Sequence, residues 1–179
     1  MPRPVAVIMA GGRATRMGGV AKPMLPVCGE PMLVRVARVA MSVAQSIVVA
    51  ASPFTANEVR SACSLGFIDS CVVLSGSGYP EDVALVARLI PRRPLLVLPS
   101  DTPFLSASAL RDFIDEAMRI GTGLVTLETS KAGPIGISLL LSGFMPWRSI
   151  VVKHSPIWLN VNTWRDYVEA EKLCRRKLS

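Results

Sequence analysis

The order of apolar and polar positions divides the first two thirds of the chain into short and long segments. Four short runs, at residues 5–10, 47–51, 71–74 and 95–99, consist almost entirely of apolar residues. Runs of this length predict β-strands, and their nearly continuous hydrophobicity predicts that both faces of each strand are covered. That arrangement is typical of a parallel sheet.

The longer segments between these runs have the three-to-four-residue period of amphipathic helices. The periodic positions are Met32, Val36, Val39 and Val43 in one segment and Val83, Val86, Ala87 and Ile90 in another. A further helix is predicted after Ser106, which can cap it, and a last one over residues 164–177. Pro31 and Pro80 suit first helical positions. Strands that alternate with helices predict right-handed crossovers between parallel strands.

The pattern changes after Gly121. Residues 124–127, 135–141 and 150–152 are strand-like and are separated by glycine, proline and serine turns, with no long helix between them. Some of their pairing is therefore expected to be antiparallel. We predict one α/β domain over residues 1–179, a three-layer sandwich with a mostly parallel, Rossmann-like sheet and some antiparallel pairing in its C-terminal half.

The composition is that of a globular protein, since half of the 179 residues are apolar and 18% are charged. The most apolar stretch, residues 135–145, is interrupted by serine and glycine and is much shorter than the roughly 20 residues that span a bilayer. The chain after Met1 leads into a predicted strand and not into a cleavage site. We therefore expect a cytoplasmic protein without a membrane span.

The cysteines show no metal-site spacing. Cys28, Cys63, Cys71 and Cys174 contain no CxxC pair, and His154 is the only histidine. We therefore predict no zinc site and expect reduced thiols, as in most intracellular proteins. His154 is assigned to the surface or to an acceptor pocket.

The formal net charge of +7 predicts attraction to polyanions in general, whether triphosphates, nucleic acid or a membrane surface. The basic run at residues 175–177 ends a predicted helix. We expect it to complement the helix C-terminus and not to bind RNA.

The loop after the first predicted strand is rich in glycine and in cations. Glycines let consecutive N–H groups point into one concavity, and arginine and lysine complement phosphate oxygens. The residues concerned are Gly11, Gly12, Gly18 and Gly19 with Arg13, Arg16 and Lys22. Because ligands bind beyond the carboxyl ends of strands in open α/β sheets, the loop predicts a triphosphate site. The alternative is a glycine-rich turn with solvated arginines.

Two common phosphate loops are excluded by the spacing. The glycines do not form G-x-G-x-x-G, and Lys22 is followed by Pro23 where a Walker loop has serine or threonine. Residues 10–23 instead resemble the A-G-G-x-x-[ST]-R-M-G-x-x-K-P signature of the nucleotidyltransferases that include molybdenum cofactor guanylyltransferase and the sugar-phosphate nucleotidylyltransferases. Ala14 stands where glycine or serine is common and fits if its φ is negative.

Within that family, residues 76–82, 100–101 and 160–163 resemble the archaeal adenosylcobinamide-phosphate guanylyltransferases. The resemblance implies Mg²⁺-dependent transfer of GMP from GTP to a corrinoid phosphate, with release of pyrophosphate, in cobalamin biosynthesis. It implies catalytic roles for Arg16, Lys22 and Asp101. It also implies nucleotide binding by Ala10, Gly11, Gly12, Arg13, Thr15, Arg16, Lys22, Gly76 and Gly78.

Asp101 follows a buried strand, in a loop that contains proline. Mg²⁺ is typically held by one or two protein carboxylates together with phosphates and waters, so Asp101 suits a magnesium site. In the resembled family the matching aspartate has that role. The alternative is that Asp101 caps the helix that begins near Ser106.

Asn160 and Asn162 occupy alternate positions of a segment that is expected to be extended, so their side chains share a face. The resemblance implies that Asn162 is a partner of the metal or the phosphates. The alternative is a local turn formed by these asparagines. Thr163 and Asp166 have the spacing of a capping box for the last helix.

The sequence gives less direct evidence for the base of the nucleotide and for the acceptor molecule. Glu81 and Asp82 fall in the first turn of a predicted helix, where dipole complementarity alone accounts for them. The apolar residues 144–147 are expected either to cover a large acceptor or to belong to the core. Other functions left open are transfer to the molybdenum cofactor or to a sugar or alditol phosphate, and a non-catalytic nucleotide- or RNA-binding domain. We expect small-molecule partners, with neither nucleic acid nor a membrane, and the sequence carries no signal for oligomeric state.

Overall fold

The computed structural model describes residues 2–178, with side chains up to residue 176. Its strands are β1 (Val5–Met9), β2 (Pro26–Val27), β3 (Glu30–Pro31), β4 (Ser46–Ala51), β5 (Ser70–Val73), β6 (Leu95–Pro99), β7 (Leu124–Thr129), β8 (Gly133–Leu140) and β9 (Trp147–Val152). Its α-helices are α1 (Met32–Met41), α2 (Ala56–Cys63), α3 (Tyr79–Leu89), α4 (Ala107–Ile120) and α5 (Trp164–Leu178).

The main sheet has the strand order β5-β4-β1-β6-β8-β7-β9. Strands β5, β4, β1 and β6 pair in parallel, as do β7 and β9, whereas β8 is antiparallel to both of its neighbours. The predicted α/β class, the mostly parallel sheet and the antiparallel pairing after Gly121 are therefore confirmed.

Helices cover both faces of the sheet. In β1, Ala6 and Ile8 pack into a core with α1, α2 and α4, whereas Val5 and Val7 pack on the other face against α3. Since alternate residues of β1 enter two different cores, the strand needs an apolar residue at every position. This accounts for the continuous apolar run that predicted it.

The hairpin β2–β3 and helix α5 form a third, smaller core beside the sheet. Val27 and Met32 pack there against Val161 and Ala170, and the core also contains Cys174. Sequence periodicity predicted α5 but neither the hairpin nor α2, because two-residue strands and an eight-residue helix carry little periodic signal.

The prediction of reduced cysteines is wrong. Cys28 and Cys174 form a disulfide bond, with their Cα atoms 5.3 Å apart, and Cys63 and Cys71 form a second one, with their Cα atoms 6.0 Å apart. The first pair is separated by 146 residues and the partners meet only through tertiary folding. Sequence spacing therefore could not reveal it.

Within residues 2–178, none of the helices combines the length and the apolarity that a bilayer span requires.

Candidate active site

A cleft of about 510 Å³ opens at the carboxyl edge of the parallel strands. The loops that follow β1, β5 and β6 supply its walls. The sequence-predicted site residues that line it are Gly11, Gly12, Arg13, Lys22, Gly76, Gly78 and Asp101. The position agrees with the rule that ligands bind beyond the carboxyl ends of strands in open α/β sheets.

The glycine loop is anchored to the neighbouring strand at its start. Ala10 is buried, and its N–H donates to the carbonyl of Ala50 at 2.8 Å. The buried hydroxyl of Thr55 donates to the carbonyl of Ala10 at 2.7 Å and accepts from the N–H of Ser52. A Cβ at Gly11 would lie 3.1 Å from the Cβ of Ser52, so a larger residue at position 11 would require this tightly packed neighbour to shift.

Ala14 adopts the left-handed conformation, with φ 47° and ψ 38°. The condition of a negative φ is therefore not met. The carbonyl of Ala14 accepts from the N–H groups of Met17 and Gly19, which closes the 3₁₀ turn Thr15–Met17. A residue with a Cβ atom is about 1–2 kcal/mol less stable in this left-handed conformation than in the right-handed one.

Lys22, Asp101 and Asn162 meet at the edge of the cleft. The Lys22 Nζ donates to Oδ2 of Asp101 at 2.5 Å and to Oδ1 of Asn162 at 3.0 Å. The side chains of Lys22 and Asp101 are only 14% and 12% exposed. The fold thus brings together a cation, a carboxylate and an amide from three distant segments.

The side chain of Asn160 lies against the same carboxylate. Its Nδ2 donates to Oδ1 of Asp101 at 3.3 Å and to the carbonyl of Ile135 at 3.2 Å. Because both partners are acceptors, the amide orientation is fixed. The Oδ1 of Asn160 is buried and has no hydrogen-bond partner among the described residues.

The two structural alternatives for these polar residues do not hold. Ser106 caps α4, since its hydroxyl accepts from the N–H of Ala109 at 3.2 Å, so Asp101 is not the cap. The Asn162 side chain accepts from Lys22, and among the described residues it forms no hydrogen bond of a local turn. Thr163 and Asp166 exchange hydrogen bonds between side chain and backbone, which is the predicted capping box.

The donor set fits a small hard cation. Asp101 supplies a carboxylate and Asn162 an amide oxygen, and both already accept from the ammonium group of Lys22. Mg²⁺ prefers oxygen ligands and is commonly bound by one or two carboxylates plus substrate phosphates.

Thr15 and Arg16 lie in the exposed 3₁₀ turn and do not line the cleft. Arg13 lines the cleft, and its guanidinium stacks on the ring of Phe54, 4.3 Å from the ring centroid. Three of the predicted nucleotide-binding residues, Ala10, Thr15 and Arg16, therefore do not line the cavity.

Sequence reasoning missed Tyr79 and Thr55. The Tyr79 hydroxyl donates to the carbonyl of Gly136 at 2.8 Å. Desolvation by burial raises the pKa of Tyr79, and the nearby Asp101 carboxylate raises it further. The hydroxyl therefore stays protonated and links α3 to β8. Tyr79 lies within the matched segment 76–82, which is the signal that could have singled it out.

The expectations for residues 144–147 are wrong. Phe144, Met145 and Trp147 are 42%, 78% and 60% exposed, so they do not belong to the core. Because β8 is antiparallel, its end at Leu140 pairs with Leu95 at the start of β6. The loop that follows β8 is thereby carried to the sheet edge opposite the cleft, where it cannot cover an acceptor. His154 is exposed.

The fold and the cleft together define an α/β domain of the nucleotidyltransferase class. A glycine loop with flanking cations faces an aspartate across the carboxyl edge of a mostly parallel sheet. Over residues 6–141 the chain matches the model of the MobA-like NTP transferase domain, and it belongs to that family.

Two relatives show where the similarity lies. The adenosylcobinamide-phosphate guanylyltransferase of Methanocaldococcus jannaschii is 33% identical over 114 residues, which cover 62% of this chain and 58% of that protein. The bifunctional protein GlmU of Burkholderia ambifaria is 32% identical over 124 residues, which cover 68% of this chain and 27% of that protein. The chain thus spans only part of the length of either relative.

Among solved structures, Rv0371c from Mycobacterium tuberculosis H37Rv shares the fold, with a TM-score of 0.73 at 24% identity over 96% of this chain and 98% of that one. A structure of the same protein in complex with manganese gives a TM-score of 0.69 at 23% identity, over 95% of this chain and 98% of that one. At these identities the likeness concerns the fold.

Proposed function

We propose that this protein transfers GMP from GTP to adenosylcobinamide phosphate and releases pyrophosphate, as a step of cobalamin biosynthesis. The observation that best supports nucleotidyl transfer is that Lys22, Asp101 and Asn162 contact one another beside the glycine loop. The acceptor and the base rest on the similarity to the M. jannaschii enzyme, which is named for that reaction.

The triphosphate is bound by the glycine loop in this proposal. The N–H groups of Gly11 and Gly12 bind phosphate oxygens, and Arg13 and Lys22 neutralise their charge. Arg16 is exposed beside the loop, and we assign it to the outer phosphates. Negative charge grows on the leaving pyrophosphate, so fixed cations stabilise the transition state more than the ground state.

Asp101 and Asn162 would hold Mg²⁺, and the amide of Asn160 would orient Asp101 through its hydrogen bond to Oδ1. When bound, the ion neutralises charge on the reacting phosphates. Lys22 pairs with the same carboxylate. The manganese complex of Rv0371c supports a divalent ion in this fold.

No protein nucleophile or strong general base is required. The acceptor is a phosphate and is already ionised at neutral pH. Its oxygen forms a bond to the α-phosphorus of GTP while the bond from that phosphorus to the β-phosphate bridge breaks, and pyrophosphate leaves. Catalysis is then alignment together with charge neutralisation, and both are tasks that the residues around the cleft can perform.

The test is pyrophosphate release from GTP, ATP, CTP and UTP with Mg²⁺, each with adenosylcobinamide phosphate, molybdopterin or mannose 1-phosphate. We expect turnover with GTP and the corrinoid. Asp101→Asn should abolish most of it, whereas Asp115→Asn, an exposed aspartate on α4, should not. Preference for another acceptor would refute the corrinoid assignment, and preference for another triphosphate would refute the assignment of GTP.

GTP is an intracellular nucleotide, so we also propose a cytoplasmic location. Both disulfide bonds would then have to persist in a reducing compartment, where such bonds are rare. Non-reducing mass spectrometry of the protein from its native cells tests this, and detection in a secreted fraction would contradict it.

A further inference from the structure

Asp82 is a buried carboxylate in the wall of the cleft. It lies in the first turn of α3 and is 6% exposed. Among the described residues no lysine or arginine forms an ion pair with it. Acidic side chains are seldom buried without a cation, and dipole complementarity at a helix start does not require burial.

Hydrogen bonds hold this carboxylate in one orientation. Its Oδ1 accepts from the hydroxyl of Ser75 at 3.2 Å and from the N–H of Gly76 at 3.3 Å. The N–H of Asp82 donates to the carbonyl of Gly78 at 2.9 Å, which ties the same loop to the helix. Within the described part of the chain, Oδ2 has no protein partner and is not sealed from solvent. Asp82 therefore keeps one acceptor available to the cleft.

The charges along the cleft orient a nucleotide. Arg13 and Lys22 belong to the glycine loop after β1, whereas Asp82 belongs, with Gly76 and Gly78, to the loop and helix start after β5. A triphosphate is attracted by the first set and repelled by an unpaired carboxylate. The end of the nucleotide that approaches Asp82 must instead offer hydrogen-bond donors.

We propose that Asp82 selects the base by accepting hydrogen bonds from N1–H and N2–H₂ of guanine. Guanine is the one common base with two adjacent N–H donors on its pairing edge, and an ionised carboxylate is a pure acceptor. The inference deepens the proposed function and relies on it for the identity of the donor nucleotide.

The experiment measures equilibrium binding of GTP, ITP and XTP without an acceptor, and pyrophosphate release with one. The variants are Asp82→Asn and, as a matched control, Asp115→Asn, the same change at an exposed aspartate of α4. ITP lacks the 2-amino group of GTP, and XTP has a carbonyl oxygen in its place. The melting temperature of each variant reports on folding.

In Asp82→Asn the N–H of Gly76 still requires an acceptor, so the amide oxygen keeps the Oδ1 position and the amide NH₂ faces the cleft. A donor there opposes both N1–H and the 2-amino group of guanine, whereas in xanthine it opposes only N1–H and matches the 2-carbonyl. We expect GTP binding to weaken about 10- to 150-fold, the range for loss of a hydrogen bond to a charged group, and XTP binding to weaken less, so that the preference for GTP over XTP falls. Asp115→Asn should leave that preference unchanged.

A carboxylate that only supports the loop would affect all three nucleotides alike, and a uniform loss in Asp82→Asn overturns the inference. Wild-type protein that binds ITP as tightly as GTP overturns it as well. If the wild type selects GTP through Asp82 but transfers to no acceptor, the inference stands and the proposed function fails. If Asp82→Asn still transfers GMP from GTP with unchanged selectivity among the three nucleotides, the inference fails and the proposed function stands.

Discussion

Replacing Lys22 by methionine removes one charge from the cluster and leaves the aliphatic stem in place. The ion pair with Asp101 is 2.5 Å long. At an effective dielectric constant of about 20 its gross attraction is about 6–7 kcal/mol, most of which offsets the desolvation of both groups. The loss of stability in Lys22→Met therefore measures the cost of leaving the largely buried Asp101 carboxylate without its partner.

That penalty is about 3–5 kcal/mol when one partner of a buried pair is removed. Asp101 keeps the N–H of Asn160 and is 12% exposed, so we expect about 3 kcal/mol. For a chain of 179 residues this lowers the melting temperature by about 6–12 °C. Urea unfolding at pH 7 measures the free energy.

The double variant Lys22→Met/Asp101→Asn provides the control, because it removes both charges. Its loss of stability should be smaller than the sum of the two single losses by about 2 kcal/mol, since no unpaired charge remains. If the single effects add within about 0.5 kcal/mol, the two side chains do not interact in solution, and the cluster cannot be the organised site that the proposal needs.

The remaining predictions concern the loop and the disulfide bonds. Arg16→Ala should lower kcat/KM by about 30- to 1000-fold, which corresponds to a loss of about 2–4 kcal/mol of transition-state stabilisation, and should leave the melting temperature unchanged. The control Arg148→Ala, on the edge strand β9, should change neither quantity. Equal rates for the two variants would contradict the phosphate-binding role of Arg16. Ala14→Gly should stabilise the protein by about 0.5–1 kcal/mol in urea unfolding, because φ is positive there. Cys174→Ser should cost about 5 kcal/mol and Cys71→Ser about half of that, since their disulfides close loops of 146 and 8 residues. Equal losses in calorimetry would contradict the chain-entropy account.

The parallel half of the sheet was predictable because its strands are buried on both faces. In β4 and β6 every residue but Ser46 is buried, so continuous hydrophobicity identifies them directly. The edge strand β5 is largely exposed, so the prediction that both of its faces are covered is wrong for this strand, although its apolar run located it correctly. Pairing direction after Gly121 followed from the absence of crossover helices, a topological constraint that local sequence does carry.

The site was predictable where chemistry is local and not where it depends on conformation. A glycine loop and its cations are contiguous in sequence, so their role could be inferred from composition and order. The φ of Ala14 is set by the turn that closes on Met17 and Gly19, which residue types alone do not specify. The orientation of Asp82 depends on a hydrogen bond to Gly76 that only the folded loop creates. For the same reason dipole complementarity looked sufficient for Asp82 in the sequence.

Helix α5 belongs to the site although the family match ends at residue 141. Tyr167 donates to the carbonyl of Pro26, Glu171 accepts from the N–H of Cys28, and Cys174 is bonded to Cys28. Positions 167, 171 and 174 lie on one face of the helix. Contacts along that face therefore hold α5 against the hairpin β2–β3, which follows Lys22. Asn162 directly precedes this helix. The contacts that hold α5 in place therefore also set the distance between Asn162 and Lys22. In this way a helix outside the matched region helps to determine the geometry of the cluster of Lys22, Asp101 and Asn162.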